Sequence, residues 1–204
     1  MKLYFSPGAC SLSPHIVLHE LGLPFETVQV DLKTKRSGDG GDFWKVNPKG
    51  YVPTLQLDDG AILTEGPAIV QYLADRKPEA GLAPANGSFA RYRLQEWLNF
   101  ISTELHKQYS PLFNPNTPEP MKQAQRERLA MRFGEIVQAM GDAPWLMGEQ
   151  FSVADAYLYT VLSWSRAVGV DLAAFPALQE YMRRVEARPA VQATLAAERN
   201  AKKS

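Results

Sequence analysis

Residues 2–30, KLYFSPGACSLSPHIVLHELGLPFETVQV, read as strand, helix and strand. Lys2–Ser6 is a short apolar run closed by Pro7-Gly8, as a strand running into a turn would be. Leu12, Ile16 and Val17 recur at helical spacing, and Gly22 with Pro24 ends that segment. Val28 and Val30 alternate with polar neighbours, the period of a second strand. Downstream, the charged, glycine-rich stretch from Asp31 to Asp42 is expected to be loop, with a short helix near Phe43. Thr54–Leu57 and Ala61–Thr64, separated by Asp58-Asp59-Gly60, form the clearest hairpin in the chain. Pro67–Asp75 follows as a helix, with proline at a favoured first-turn position. The order is β-α-β, then β-β-α.

The character changes after residue 77. Lys77–Gly87, KPEAGLAPANG, concentrates Pro, Gly and Ala, and beyond it the pattern is helical only. Ser88 is placed to cap a long helix with Leu94, Trp97, Leu98, Ile101 and Leu105 along one stripe. Leu129, Phe133, Ile136, Val137 and Met140 mark another, and Ser152-Val-Ala-Asp155 is a capping-box-like start to a third. Pro176 and Pro189 bracket a fourth, before a short fifth. The expected organisation is a mixed α/β domain over 1–80, a linker over 81–87 and an all-helical domain over 88–204.

Bulk properties exclude several classes of partner. Lys and Arg balance Asp and Glu at 22 each, so no basic field exists to attract nucleic acid. The basic tail, Arg199 to Lys203, reads as a frayed terminus. No apolar stretch approaches the ~20 residues of a membrane span, and MKLYFSPGAC is too short in apolar residues for a secretory signal. One cysteine excludes an internal disulfide and suits a reducing compartment, so a cytoplasmic location is expected.

Five places could carry chemistry. Cys10 lies in the turn before the first helix, where unpaired N–H groups favour a thiolate, or it is simply a small buried hydrophobe. Ser13 stands where a C-x-x-C motif would have its second thiol, so any redox cycle needs an external one. Val52-Pro53 enters the third strand, where a cis bond would leave the Val52 N–H and C=O to pair with an extended peptide. Glu65-Gly66 opens a helix and is either a cap or a holder of an ammonium and a carboxylate. Asn99, Thr103 and His106, at i, i+4 and i+7, form one polar stripe, of ligand contacts or of ordinary solvated surface. His15 and His19 sit four apart but lack the glutamate and third ligand of a zinc helix, so no metal is expected.

In this order, the segments KLYFSPGACSLSPHI, VNPKGYVPTLQLDDG, LTEGPAIVQYLAD, WLNFISTELHK, FSVADAYLY and RPAVQ resemble the glutathione transferase superfamily, and its bacterial beta class most closely. The resemblance implies a thioredoxin-like four-stranded sheet with helices, then a helical domain, assembled as a homodimer. It implies that Cys10 contacts or bonds the glutathione sulfur and that Val52 pairs with the cysteinyl backbone beside a cis Pro53. Glu65 and Gly66 match the γ-glutamyl end and Lys35 the glycyl end, while Asn99, Thr103 and His106 match the helical-domain contacts. Thr103 replaces a common Ser, and Gly66 replaces the Ser of the wider superfamily. Ser152 and Asp155 match the family's folding element, not its catalysis.

The implied activity is conjugation of reduced glutathione, a co-substrate, to a hydrophobic electrophile, with Cys10 and His106 at the sulfur. Tyr109, Pro111, Phe113 and Trp164 are the expected apolar lining for that electrophile. Two rivals stand beside it. One is a Cys10-dependent redox enzyme: a thiol transferase, peroxidase or reductive dehalogenase. The other is a non-catalytic binding or regulatory protein of the same fold.

Overall fold

β1 (Lys2–Phe5) lies inside a four-stranded mixed sheet of order β2-β1-β3-β4. β2 (Glu26–Gln29) runs parallel to it, with Tyr4 opposite Val28, and β3 (Thr54–Gln56) runs antiparallel, with Tyr4 opposite Thr54. β4 (Ile62–Thr64) closes the expected hairpin, with Thr54 opposite Thr64. The computed structural model describes residues 1–202.

A parallel pair cannot be joined by a tight turn, so the chain crosses over through α1 (Leu12–Leu21). Its residues Leu12, Ile16, Val17 and Leu18 are buried, and Gly22 ends it in the left-handed conformation, donating to the His19 carbonyl. α2 (Gly66–Asp75) buries Ile69, Val70 and Leu73, the face its periodicity gives. The short helix expected near Phe43 is one 3₁₀ turn, Phe43–Lys45, opened by Asp42, whose carboxylate accepts the Trp44 N–H. It drives Phe43 into a cluster with Tyr4, Val28, Val30 and Val52.

The chain divides into two units, Met1–Ala80 with 187–202, and Gly81–Glu186. The division after residue 80 falls at the expected position, while residues 81–87 and 187–202 group otherwise than expected. Residues 81–87 are not a free linker: the buried Leu82 accepts the Val153 N–H through its carbonyl, and Arg91 donates to the Pro84 carbonyl. The last helix leaves the all-helical unit. α8 (Pro189–Ala201) packs on the first unit, where the buried Glu198 accepts the Gly8 N–H at 2.7 Å and bonds His15 Nδ1 at 3.0 Å. Arg188, just before it, donates from Nε and Nη2 to the two carboxylate oxygens of Glu20. Arg199 therefore lies within a packed helix and not in a frayed tail, while Lys203 is outside the described residues.

In the second unit α3 (Phe89–Phe100) starts at Ser88, whose hydroxyl accepts the Arg91 N–H. It continues through a π-helical turn, Ile101–His106, into α4 (Lys107–Phe113). α5 (Glu119–Met140), α6 (Val153–Leu162) and α7 (Pro176–Glu186) complete the unit. Asp155 fixes the start of α6. Its fully buried carboxylate accepts the N–H and hydroxyl of Ser152, the Leu146 N–H and the Tyr181 hydroxyl. Burial pushes the Asp155 carboxyl above the usual range, and these four donors pull it back. No described helix is long and apolar enough to cross a membrane.

Removing the Glu198 carboxylate takes an acceptor from the Gly8 N–H and from the buried His15 imidazole, a loss on the order of 2–3 kcal/mol. Glu198→Ala should therefore lower the thermal midpoint by roughly 4–12 °C. An unchanged midpoint in a melting experiment would show that α8 is not held through this residue.

Candidate active site

The first unit gathers its chemistry at the ends of three strands. Because β1 and β3 are antiparallel in the register Tyr4 to Thr54, the turn after β1 faces the residues that precede β3. Because Thr54 also faces Thr64, those same residues lie beside the start of α2. Cys10, Val52-Pro53 and Glu65-Gly66 are brought together by this pairing.

The Cys10 turn is tied back on itself. The Ser6 N–H donates to Ser11 Oγ at 3.1 Å, the Ser11 hydroxyl returns to the Ser6 carbonyl, and the Ala9 N–H donates to that carbonyl as well. Cys10 stays half-buried, and its Sγ–H donates to the Val52 carbonyl at 3.1 Å. A thiolate has no proton to give, so this contact belongs to the thiol form. Val52-Pro53 is the cis bond that the resemblance implies. The expectation that both Val52 backbone groups stay open holds for one of them. The carbonyl already takes the thiol, whereas among the described residues no acceptor receives the Val52 N–H.

Asn47, which sequence reasoning passed over, braces this loop. Its buried amide donates to the Tyr51 carbonyl at 2.9 Å and to Thr54 Oγ1 at 3.0 Å, and its Oδ1 accepts the Lys49 N–H. The signal was present: Asn47-Pro48-Lys49-Gly50 is turn chemistry, and a turn folded this tightly needs an internal brace. Gly50 is required there, since a Cβ would stand 2.6 Å from the Trp44 ring.

Lys35 adopts a positive φ of 57° and sends its ammonium to the Gly50 carbonyl at 2.7 Å, over the rings of Trp44 and Tyr51. Glu65 also has a positive φ, 72°, and its exposed carboxylate pairs with Lys49 at 3.6 Å. It does not cap α2 with its side chain. Gly66 has room: an added Cβ would meet only Pro53 Cγ, at 3.9 Å. His15 and His19 are not poised as a metal pair, since His15 Nδ1 is bonded to Glu198 and both rings pack against Phe25.

The second unit holds the other three residues, and it does not present them as one stripe. The wide turn over 101–106, with the Lys107 N–H reaching the Ser102 carbonyl, breaks the α-helical count on which i, i+4, i+7 rests. Asn99 and Thr103 are exposed, and the Thr103 hydroxyl bonds back to the Asn99 carbonyl at 3.1 Å. His106 turns inward instead. Its Nδ1 lies 2.7 Å from the Tyr157 hydroxyl, and Trp164 meets its ring edge-on at 4.9 Å. Tyr157, on α6, was not among the expected site residues. A buried phenol needs a partner for its hydroxyl, and that need was the available signal. Of the expected apolar lining, Phe113 is half exposed and packs on Trp164. Tyr109 is corrected to core: it is fully buried, its hydroxyl on Ser165 Oγ, and burial pushes that phenol well above its usual range.

Residues 8–76 match the N-terminal domain of glutathione S-transferases, and residues 100–189 match their C-terminal domain. The chain belongs to the glutathione S-transferase family. It is 49% identical to the glutathione S-transferase GstA of Escherichia coli O157:H7, over 97% of this chain and 98% of that one. Among solved structures it is similar to BphK, a bacterial GST captured in a ternary complex, with 60% identity, a TM-score of 0.95 and coverage of 97% and 99%. A bacterial beta class glutathione S-transferase from Sphingomonas chungbukensis is 47% identical, with a TM-score of 0.94 and coverage of 97% and 98%. The expected family, its beta-class likeness and its fold are thereby established.

At Gly66, where the resemblance implies a serine in the wider superfamily, the surroundings leave space for a side chain. A side chain at this first helical position meets no clash, and serine is a better helix residue than glycine by a few tenths of a kcal/mol. Gly66→Ser should keep the thermal midpoint or raise it by about 1–2 °C. A drop of several degrees would mean that the pocket beside Pro53 is tighter than its geometry.

Proposed function

We propose that this transferase binds reduced glutathione along the Val52 backbone and directs its sulfur at a hydrophobic electrophile. The observation that carries the reading is the 3.1 Å hydrogen bond from Cys10 to the carbonyl of Val52, beside a cis proline and an unpaired Val52 N–H. An extended peptide laid there finds a backbone donor, and its thiol falls next to Cys10. Glutathione carries an ammonium and two carboxylates. In this proposal Glu65, with the backbone of Gly66, takes the γ-glutamyl end and Lys35 takes the glycyl carboxylate. Asn99 adds hydrogen bonds through its amide, and the Thr103 hydroxyl, its proton on the Asn99 carbonyl, can only accept. His106 serves the sulfur as proton acceptor, the thiolate being the nucleophile. No metal takes part in this scheme, and homodimeric assembly and a cytoplasmic location belong to the same proposal.

A second reading rests on the accessibility of Cys10. A thiolate at Cys10 would attack one sulfur of oxidised glutathione, forming a Cys10–glutathione disulfide and releasing one glutathione thiolate. With Ser13 in place of a second cysteine, only an external thiol could resolve that disulfide.

The two are separated by titrating reduced glutathione into wild-type and Cys10→Ala protein by calorimetry, then recording intact masses after addition of oxidised glutathione. Binding to both proteins is expected, with a glutathione adduct on wild type alone if Cys10 is redox-competent. Binding without an adduct leaves conjugation as the only activity of the site. Absence of binding to folded wild type contradicts the proposal.

A further inference from the structure

We propose that Tyr157 is a positioning residue for His106, its hydroxyl claiming Nδ1 so that the imidazole exchanges protons through Nε2 alone. The inference rests on the reading that His106 serves the glutathione sulfur, and it adds the group that sets the state of the ring.

The geometry is confined to the second unit. His106 is the last residue of the π-helical turn, and that turn is held in place by Glu104, which meets Arg132 of α5 at 2.6 Å. Trp164 lies edge-on to the imidazole at 4.9 Å, and the Tyr157 ring stands at 77° to it, 5.9 Å away. Tyr157 is 2% exposed, on a helix whose first turn is locked by the donors around Asp155. The phenol therefore comes from a rigid element to a ring with little freedom to swing, and the 2.7 Å separation is a strong hydrogen bond.

A phenol can serve both states of its partner. With Nδ1 unprotonated, the hydroxyl donates to it and Nε2 carries the proton. With Nδ1 protonated, the ring donates to the phenolic oxygen and Nε2 offers a lone pair. In the second state a thiol near Nε2 can pass it a proton. The S–H bond breaks, its electron pair stays on sulfur as the thiolate, and the new imidazolium keeps its Nδ1–H on the Tyr157 oxygen. Phenylalanine at 157 would retain the ring packing and remove only this acceptor.

The test compares wild type, Tyr157→Phe, His106→Ala and the double variant, using reduced glutathione with a nitro-activated aryl halide. It also records the ¹⁵N shifts of the His106 ring. Tyr157→Phe should keep its thermal midpoint within a few degrees, move the ¹⁵N shift of Nδ1, which loses its hydrogen bond, and lower kcat/KM roughly tenfold. In the His106→Ala background the same substitution should cost nothing further. An unchanged ¹⁵N pattern, or an equal loss in both backgrounds, overturns the proposal and leaves the role of His106 standing. Full activity in His106→Ala, with an altered pattern in Tyr157→Phe, overturns the underlying reading of His106 instead.

Discussion

The antiparallel pairing of β1 with β3 decides where chemistry can occur in the first unit. Had β3 run parallel to β1, the turn carrying Cys10 would lie at the opposite end of β3 from Val52. In the observed register, Tyr4 to Thr54 and Thr54 to Thr64, three chain reversals converge at one sheet end. A thiol, an open backbone N–H and a helix start are placed there by hydrogen bonds made elsewhere in the sheet. Asn47, Ser11 and Glu198 then hold the converging loops from behind. None of the three needs to touch a ligand to matter to it.

The parts legible in sequence were those with short-range rules. The hairpin around Asp58-Asp59-Gly60, the stop at Gly22 and the Ser152–Asp155 start of α6 each follow from local backbone chemistry, and each is found where the residues indicate. The cis bond at Val52-Pro53 is different. No local rule selects it, and it was expected only through the family resemblance. α8 was misassigned because its amphipathic pattern fits any apolar surface. What returns it to the first unit is one buried carboxylate, Glu198, matched to a backbone N–H 190 residues away. Such a pairing leaves no periodic trace.

The helical unit shows the same limit more sharply. An i, i+4, i+7 stripe presupposes 3.6 residues per turn, and the widened turn at 101–106 invalidates that count just where the polar residues lie. His106 leaves the stripe for the aromatic cluster of Tyr157 and Trp164, while Thr103 spends its hydroxyl on its own helix. Pro111, inside α4, supplies no N–H to the helix that follows this turn. π-Helical turns are frequent at functional sites, and this one changes which residues the helix can offer and which it withdraws.

The proposed glutathione site depends on the Val52 amide, a backbone donor left open beside a thiol. Amide hydrogen exchange at Val52, measured with and without saturating reduced glutathione, tests it most directly. Slower exchange in the bound state at Val52, with the amides of α5 unaffected, is the predicted result. Binding that leaves Val52 exchange unchanged would contradict the account, because glutathione would then be held by something other than this backbone.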